Sequence, residues 1–256
     1  MKKKLKIALC IFLCVAIVSG ATAFILYQLK LKEYKNMTIN LPENFTYTAH
    51  TGCNGTEDNS LESIEVAVEH GAHIVEFDIY YNGTEFVLSH DAPKGGEVTL
   101  REAFLKLKEY DGLRANVDVK DTTEIGKVQT LAEELEVLDR IFFTGVTIVD
   151  VGTVSENCPD IPYYLNMEVV KPDENYDNYL KAIIKKVKDY GAIGINFNKN
   201  AATAELVEAF HAEGLLVSIW TVSNELEIYE MLSYRPDNIT TRRPDLLKEA
   251  LAEVGE

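Results

Sequence analysis

The order of apolar and polar residues along the chain alternates between short apolar runs and longer amphipathic segments. The short runs are rich in β-branched and aromatic residues, which favour strands. Eight strands are predicted, at 46–51, 73–80, 114–119, 141–145, 162–167, 192–197, 215–221 and 237–240. In the longer segments apolar residues recur at steps of three and four, which indicates helices. These segments are 61–68, 100–110, 125–135, 180–187, 206–210 and 246–251.

Regular alternation of strands and helices predicts an α/β protein, and eight repeats predict a (β/α)8 TIM barrel. The alternative is an open, doubly wound sheet. In a barrel, the functional side chains lie where the strands end and the loops to the helices begin. Polar residues at the predicted strand ends are therefore the candidates for chemistry.

The N-terminal segment differs from the rest of the chain. The basic start, MKKKLK, precedes 7–29, which holds 23 consecutive residues without a charge and is long enough to cross a bilayer. We expect 1–32 to be a transmembrane anchor, 33–44 a linker and 45–256 the barrel domain. The positive start predicts a single-pass cell-membrane protein with an extracytoplasmic barrel. The alternative is secretion after cleavage of a signal peptide, because 21–23 read Ala-Thr-Ala.

Charge is distributed unevenly along the chain. Residues 1–32 hold six of the 25 basic residues and no acids, so the remainder has 19 basic against 41 acidic side chains and a net charge of −22. Such a domain should repel nucleic acid. It would also repel an anionic ligand unless a bound cation reversed the local field. Cys53 and Cys158, which lie outside the N-terminal segment, either form a disulfide or stay free and buried.

Two carboxylates interrupt the apolar second strand. Side chains alternate faces along a strand, so Glu76 and Asp78 point the same way, in step with Ile74 deeper in the barrel. Asp118 ends the third strand, and Lys120 follows on the same face. Taken alone, Glu76 and Asp78 would also fit the solvent-exposed edge of a strand. Asp118 alone would fit a helix N-cap or a loop. Together the three acids predict one divalent cation, Ca²⁺ or Mg²⁺.

Two of the five histidines follow strand-like runs, His50 after 47–49 and His90 after 86–89. A single histidine at such a position is more often structural than catalytic. Two histidines at one barrel mouth beside a metal can serve as general base and general acid. The other three, His70, His73 and His211, lie in or after helices and are interpreted as structural.

The order of these residues resembles the pattern of the glycerophosphodiester phosphodiesterase family, which runs H-R-G, P-E-N-T, E-x-D and H-D on a phospholipase-C-like TIM barrel. The matching residues are Ala49-His50-x-Gly52, Glu57-Asp58-Asn59-Ser60-Leu61, Glu76-x-Asp78 and His90-Asp91. Segments 217–222 and 239–245 resemble the seventh strand and the closing T-D-R-P of the family. The resemblance therefore covers about 45–251.

The resemblance implies a site and a reaction. It gives acid/base catalysis to His50 and His90, metal binding to Glu76, Asp78 and Asp118, and substrate contacts to Thr51, Asp58, Lys120 and Trp220. The implied reaction is metal-assisted cleavage of a phosphodiester by its neighbouring hydroxyl, after which water opens the cyclic phosphate. The implied substrates are glycerophosphodiesters or lysophospholipid-like, lipid-derived diesters.

The sequence departs from the family pattern at four positions. Thr51 replaces the arginine of H-R-G and cannot offer a guanidinium to phosphate. Asp58 replaces a glutamate, and Arg242 replaces the aspartate of T-D-R-P. Asp118 stands where the family usually has glutamate. With Lys120 two residues later, it is similar to the sphingomyelinase-D-like phospholipases.

Three functions stay open on these grounds. The leading hypothesis is a phosphoric diester hydrolase of class EC 3.1.4. The first alternative is a sphingomyelinase-D-like phospholipase that releases the cyclic phosphate. The second is a non-catalytic surface barrel that binds ligands, and the missing arginine at Thr51 supports it. Only 27 residues separate His90 from Asp118. We therefore expect no insertion domain there and a more open mouth.

Overall fold

The computed structural model describes residues 2–170 and 174–254. The strands are β1 (Thr46–Ala49), β2 (Ile74–Tyr81), β3 (Phe86–Leu88), β4 (Arg114–Val119), β5 (Ile141–Thr144), β6 (Tyr164–Asn166), β7 (Gly194–Asn198), β8 (Leu216–Val222) and β9 (Asn238–Thr241). The helices are α1 (Lys2–Lys35), α2 (Leu61–Glu69), α3 (Leu100–Lys108), α4 (Gly126–Glu134), α5 (Val151–Asn157), α6 (Tyr176–Asp189), α7 (Ala204–His211), α8 (Glu225–Ser233) and α9 (Pro244–Val254).

Every strand except β3 belongs to a parallel barrel. Around the barrel the strands follow the order β5, β4, β2, β1, β9, β8, β7 and β6. β9 pairs with β1 in parallel, from Thr46 opposite Asn238 to Ala49 opposite Thr241. Between β5 and β6 the strands are joined by a single parallel bridge, from Phe143 to Tyr163. This nearly closed ring confirms the predicted TIM barrel and excludes the open sheet.

The eight predicted strands are all present, and each end lies within two residues of its prediction. The strand-like run before His90 forms β3, a three-residue strand outside the barrel that pairs antiparallel with β2 and places Tyr81 opposite Phe86. The prediction missed α5 and α8. α5 has seven residues and buries only Val151 and Val154, too few for a helical period to show. Between β3 and β4 the described chain forms only α3, so the expected absence of an insertion domain is confirmed.

Short polar side chains cap the N-termini of four barrel helices. Ser60, Thr99, Thr203 and Asn224 each accept a hydrogen bond from the backbone N–H three residues later, at the starts of α2, α3, α7 and α8. Thr99 forms a capping box with Glu102. Because a capped helix can begin soon after its strand, the loops around the mouth stay short.

Side-chain alternation divides the barrel into an outer and an inner layer. On β2, Val75, Phe77 and Ile79 are buried in the large core between barrel and helices. Ile74 points inward and packs with Phe142 and Tyr164 in a separate small cluster. This apolar cluster fills the lower barrel interior, as the strand alternation predicts for Ile74. The inner face above it is polar and forms the floor of the mouth.

The N-terminal helix continues through the predicted boundary at residue 32. α1 ends at Lys35, and Leu31 is buried in the main core. In the described part of the chain, α1 holds the one segment long and apolar enough to cross a membrane, Val15–Lys35. Length and composition alone do not separate an anchor from a signal sequence, so the predicted boundaries at 32 and 44 stay predictions.

The two cysteines of the barrel domain are both free and buried. Cys53 Sγ lies 3.5 Å from the carbonyl oxygen of Ser63, and Cys158 Sγ lies 3.3 Å from that of Ile125. Each thiol thus has a local partner. Of the two alternatives that the sequence left open, free thiols are the one observed.

Candidate active site

Three carboxylates meet at the mouth of the barrel. β2 carries Glu76 and Asp78 on its inner face, and its register with β4 places Asp78 opposite Asp118. Oxygen atoms from the three carboxylates lie within 4.8 Å of one another. Negative charges this close repel each other strongly unless a cation lies among them.

Burial strengthens this repulsion. Glu76 and Asp78 are only 5% and 4% exposed. Burial, and then the charges of Asp78 and Asp118, raise the pKa of Glu76 well above its ordinary value. Burial also raises the pKa of Asp118, against the opposing charge of Lys120. Lys120 Nζ lies 3.0 Å from Asp78 Oδ1 and 2.7 Å from Asp118 Oδ2.

The residues of this cluster fit a divalent cation. One lysine against three carboxylates leaves two negative charges uncompensated, which one divalent ion would balance. Clustered carboxylate oxygens are typical ligands of Ca²⁺ and Mg²⁺. The acidic cluster therefore supports the predicted metal site, and the choice between Ca²⁺ and Mg²⁺ stays a prediction.

Neutral side chains hold two of the acids in place. Asn59 Nδ2 donates to Asp78 Oδ2, and Asp78 N donates to Asn59 Oδ1, both at 2.9 Å. The hydroxyl of Thr144 lies 3.1 Å from Asp118 Oδ1 and 2.7 Å from Asn116 Oδ1. These contacts orient the carboxylate oxygens toward the mouth, as supporting contacts around metal ligands commonly do.

Two glycines provide space at the mouth. Gly145 has φ +75°, and a Cβ there would lie 2.4 Å from Asp118 Oδ1. Gly52 has φ +69°, and a Cβ there would lie 2.0 Å from Asp58 Oδ1 and 2.8 Å from Arg242 Nη1. At Gly145 a Cβ would also lie 2.4 Å from the backbone carbonyl oxygen of Val119, so this position requires glycine. At Gly52 the positive φ alone strains any other residue.

The loop after β1 holds His50 in one tautomer. His50 Nδ1 lies 2.8 Å from the carbonyl oxygen of Thr51. A carbonyl only accepts, so Nδ1 carries the hydrogen and Nε2 is left to accept a proton. Burial lowers the pKa of His50, and the charge of Arg242 acts in the same direction against the Thr51 hydrogen bond. The lowered pKa favours the uncharged form of His50, in which Nε2 can accept a proton.

Thr51 connects the histidine loop to the acidic cluster. Its N–H donates to Glu76 Oε2 at 2.8 Å, and its hydroxyl accepts from the N–H of Asn59. Its carbonyl oxygen accepts from His50 and from Arg242 Nη1, the latter at 3.0 Å. Thr51 thus lines the cavity with each of its polar groups already bonded within the protein.

Arg242 reaches from the end of β9 to the loop after β1. Its Nη1 donates to Asp58 Oδ1 at 2.7 Å as well as to Thr51. Both contacts use this one nitrogen, and within the described residues Nε and Nη2 have no partner. A guanidinium therefore lies beside His50, although the sequence lacks the arginine next to that histidine.

The hairpin of β2 and β3 returns the chain to the acidic cluster. Ser89 N donates to the carbonyl oxygen of Asp78 at 3.1 Å, and this places His90 at the edge of the mouth. The His90 side chain is 67% exposed, and its Nδ1 lies 3.2 Å from Asp91 Oδ1. The short strand β3, which corresponds to the strand-like run before His90, thus positions this histidine.

One cavity of about 260 Å³ brings the predicted site residues together. Its lining includes all of them: His50, Thr51, Asp58, Glu76, Asp78, His90, Asp118, Lys120 and Trp220. Trp220 Nε1 is buried and has no hydrogen-bond partner among the described residues, so it can donate to a ligand. The roles of these residues stay predictions.

Eight further residues line this cavity that were not predicted as site residues, although Asn59 and Arg242 stand in the motifs that resemble the family. They are Asn59, Asn116, Thr144, Asn166, Asn196, Thr221, Thr240 and Arg242. Asn116 stands two residues before Asp118 on one strand, so the alternation that identified Asp118 also indicates Asn116. For Arg242 the sequence gave no such signal, because its role depends on a contact with residues nearly 200 positions away.

The predicted structural histidines lie at the opposite end of the barrel. His73 accepts a hydrogen bond from Tyr47 N at 3.2 Å, and His211 Nε2 lies 2.8 Å from Asp237 Oδ2. His70 ends α2. None of the three lines the cavity at the mouth.

A profile of the Glycerophosphoryl diester phosphodiesterase family matches residues 98–246. The match includes Asp118, Lys120 and Trp220 and begins after His90. No protein of curated function matches the sequence significantly.

Solved structures share the fold. A glycerophosphodiester phosphodiesterase from Parabacteroides distasonis has a TM-score of 0.65 and 18% identity, covering 83% of this chain and 97% of that chain. One from Agrobacterium tumefaciens has a TM-score of 0.66 and 14% identity, over 81% and 99%. A phosphodiesterase from Oleispira antarctica, solved with the product sn-glycerol-3-phosphate, has a TM-score of 0.64 and 19% identity, over 83% and 97%.

Proposed function

Because this chain belongs to the glycerophosphoryl diester phosphodiesterase family, we propose that it is a metal-dependent hydrolase of glycerophosphodiesters. The observation that carries the proposal is the one cavity that joins the cluster of three acids on β2 and β4 to two histidines and two cationic side chains. A pure binding site has no evident need for this combination, whereas cleavage of a phosphodiester uses each part.

His50 is the proposed general base. Its Nε2 accepts the proton of the substrate hydroxyl next to the diester, and the freed oxygen attacks phosphorus. The bond from phosphorus to the leaving alcohol breaks, which forms a cyclic phosphate. A divalent cation at Glu76, Asp78 and Asp118 would supply positive charge that stabilises the phosphate oxygens.

His90 is the proposed general acid. In its protonated form it donates a proton to the departing alcohol oxygen. In the second step the roles reverse: neutral His90 removes a proton from water, the water oxygen attacks phosphorus, and protonated His50 returns its proton to the ring oxygen that leaves. Both histidines then regain their starting states, and one water has been consumed.

Two cations are available for the substrate phosphate. Lys120 already bridges Asp78 and Asp118, so its charge is largely committed to the acids. Arg242 uses one nitrogen for its protein contacts, which leaves donors for a phosphate oxygen. We propose that Arg242 supplies the guanidinium that Thr51 does not, which removes the main support for a non-catalytic barrel.

The proposed substrate half is glycerol phosphate. The Oleispira antarctica neighbour was solved with sn-glycerol-3-phosphate as product. In the cavity of this chain, the amide oxygen of Asn196 and the indole N–H of Trp220 are buried without a hydrogen-bond partner among the described residues, and they suit a small polar ligand.

Turnover of glycerophosphocholine by the purified full-length protein tests this function. Release of choline and sn-glycerol-3-phosphate should require Ca²⁺ or Mg²⁺ and should be lost in a His50→Ala/His90→Ala double variant. The matched control is His70→Ala, which removes a histidine at the other end of the barrel. Equal turnover in the wild type and the double variant would contradict the proposal.

A cyclic phosphate as the final product is the second candidate. The ion pair of Lys120 with Asp118, at 2.7 Å, favours it, because this pair is the feature shared with sphingomyelinase-D-like phospholipases. Phosphorus NMR of the reaction separates the two outcomes. A cyclic signal that persists favours release of the ring, and one that decays to a monoester favours hydrolysis.

We also propose that α1 is an uncleaved anchor with the barrel outside the cell. The apolar Val15–Lys35 segment and the lysines after it support this assignment. Membrane fractionation of cells that produce the full chain, with carbonate washing and protease protection, tests it. A shorter, soluble product that begins after residue 23 would favour the signal peptide instead.

A further inference from the structure

The cavity at the mouth has a charged side and a neutral side. Its charged and titratable lining residues lie on β1, β2, β4 and β9 or on the loops after them, except His90, which follows β3. The lining residues that come from β6, β7 and β8 are neutral: Asn166, Asn196, Trp220 and Thr221. In the order of strands around the barrel β2 is third and β7 is seventh, so β7 lies across the cavity from Glu76 and Asp78. The neutral side therefore faces the acidic cluster.

The neighbouring strand fixes the direction of the Asn196 amide. The register of β6 with β7 places Asn166 opposite Asn196, and Asn196 Nδ2 donates to Asn166 Oδ1 at 3.0 Å. The amide nitrogen of Asn196 thus has a partner within the protein. Its amide oxygen is buried and has none among the described residues, although Asn196 lines the cavity and is only 5% exposed. A buried acceptor without a partner is costly, so this oxygen suits a donor that a ligand supplies.

The next strand adds a donor without a partner. The register of β7 with β8 places Trp220 opposite Asn198, two residues beyond Asn196 along β7. The indole N–H of Trp220 is buried, lines the same cavity and has no partner within the described chain. The neutral side therefore offers one free acceptor and one free donor. A hydroxyl group both donates and accepts, so it matches both groups, whereas a methyl group matches neither.

We propose that Asn196 and Trp220 bind the terminal hydroxyl of the glycerol, and that Asn196 selects substrates whose glycerol end is unmodified. This assignment rests on the proposed diesterase function. In that reaction the hydroxyl next to the phosphate reacts at His50, and the alcohol leaves past His90 at the exposed rim. The last carbon of the glycerol extends away from both, toward β7. An acyl group on its oxygen removes the hydrogen that Asn196 accepts, so 1-acyl lysophospholipids lose this bond.

Titration calorimetry of the full-length protein in detergent, with Ca²⁺ or Mg²⁺ present, tests the contact. The ligands are sn-glycerol-3-phosphate and its 1-deoxy analogue, which carries hydrogen in place of the terminal hydroxyl. The wild type should bind the analogue about 10- to 100-fold more weakly, because the analogue leaves buried polar groups unpaired. Asn196→Ala should reduce this preference to about threefold or less. Trp220→Phe keeps an aromatic ring without the N–H and should reduce the preference in part.

Asn200→Ala is the matched control, because Asn200 is an exposed asparagine just after β7 that does not line the cavity. It should keep the full preference. Equal affinity of the wild type for the two ligands, or no binding of sn-glycerol-3-phosphate, would overturn the inference, and neither result depends on a variant. A preference kept in full by Asn196→Ala or by Trp220→Phe would also overturn it, because the hydroxyl would then be bound elsewhere.

Turnover gives the second measurement. The ratio of kcat/KM for glycerophosphocholine to that for its 1-deoxy analogue should show the same preference in the wild type and the same loss in Asn196→Ala. An equal kcat/KM for the two diesters in the wild type would overturn the inference while leaving the diesterase function in place. Absence of turnover with both diesters would contradict the proposed diesterase, and the calorimetric ratio would then decide the hydroxyl contact by itself.

Discussion

The two proposed catalytic histidines lie in loops with different properties. The loop after β1 holds His50 in a buried site, where its Nδ1 is bonded to Thr51 and Arg242 lies beside it. The loop after β3 presents His90 at the rim, 67% exposed, with Asp91 as its neighbour. One histidine is fixed in tautomer and kept neutral by burial, and the other stays in contact with solvent.

This difference suits the two halves of the proposed reaction. A base must be uncharged and oriented before the substrate reacts, and burial with a backbone hydrogen bond provides both. An acid must reload its proton in each cycle, and exposure to water allows that. For this reason we propose His50 as the base for the attacking hydroxyl and His90 as the acid for the leaving alcohol, a choice that the sequence alone did not make.

Loss of His50 should have the largest effect. His50→Ala should lower kcat by about 10³-fold, which is within the range for a general base. The loss should be the same for good and poor leaving groups, because the substitution removes the activation of the attacking hydroxyl. The measurement is kcat for glycerophosphocholine and for a glycerophospho-p-nitrophenol ester. If the loss of kcat disappeared with the p-nitrophenol ester, His50 would be the general acid and His90 the general base.

Loss of His90 should depend on the leaving group. His90→Ala should lower kcat for glycerophosphocholine by about 10²-fold, and much less for the p-nitrophenol ester, because a phenolate leaves without a proton. Its exposed position also predicts an unchanged Tm. An equal loss with both substrates would show that His90 is not the acid.

Removal of Arg242 tests whether its guanidinium, which lies beside the loop that holds His50, contacts the substrate phosphate. Arg242→Ala should lower kcat/KM by about tenfold or more, the value of a charge-assisted hydrogen bond of about 1.5–3 kcal/mol. Arg242→Lys should recover part of it, since the charge remains without the fork of donors. Arg101→Ala, which removes a surface arginine paired with Glu134, is the control. Activity of Arg242→Ala equal to this control would contradict the proposed phosphate contact.

The pH profile should report the buried histidine. The pKa of His50 is lowered by burial first and by Arg242 as well, so the acid limb of kcat/KM should have a midpoint below the ordinary histidine value of about 6.5. Activity rises with pH through this midpoint because only the neutral form accepts a proton. Arg242→Ala should move the midpoint upward. A midpoint above 6.5 in the wild type would contradict the assignment of the base.

Besides abolishing turnover, metal removal should lower the thermal stability of the protein by a modest amount. A cation at 100 times its Kd adds about 2.7 kcal/mol of stability, or about 5–10 °C in Tm for a chain of this size. EDTA should remove this gain from the wild type, and Asp78→Asn should abolish it. The control Asp189→Asn, a change at the exposed end of α6, should keep it. An unchanged wild-type Tm in EDTA would contradict the metal site.

Most of the fold was predictable because its signals are local. Strand alternation placed Glu76 and Asp78 on the inner face with Ile74 below them, and the register of β2 with β4 then brought Asp118 opposite Asp78. The missed helix α5 is too short to establish a period. Predicting it requires knowledge of the elements against which it packs.

The sequence by itself determined the barrel, the acidic face of β2 and the candidate histidines, because each depends on spacing within one segment. Only the tertiary structure brought Arg242 to Thr51, because that contact joins the chain after the first strand to the chain after the last strand of the ring, nearly 200 residues apart.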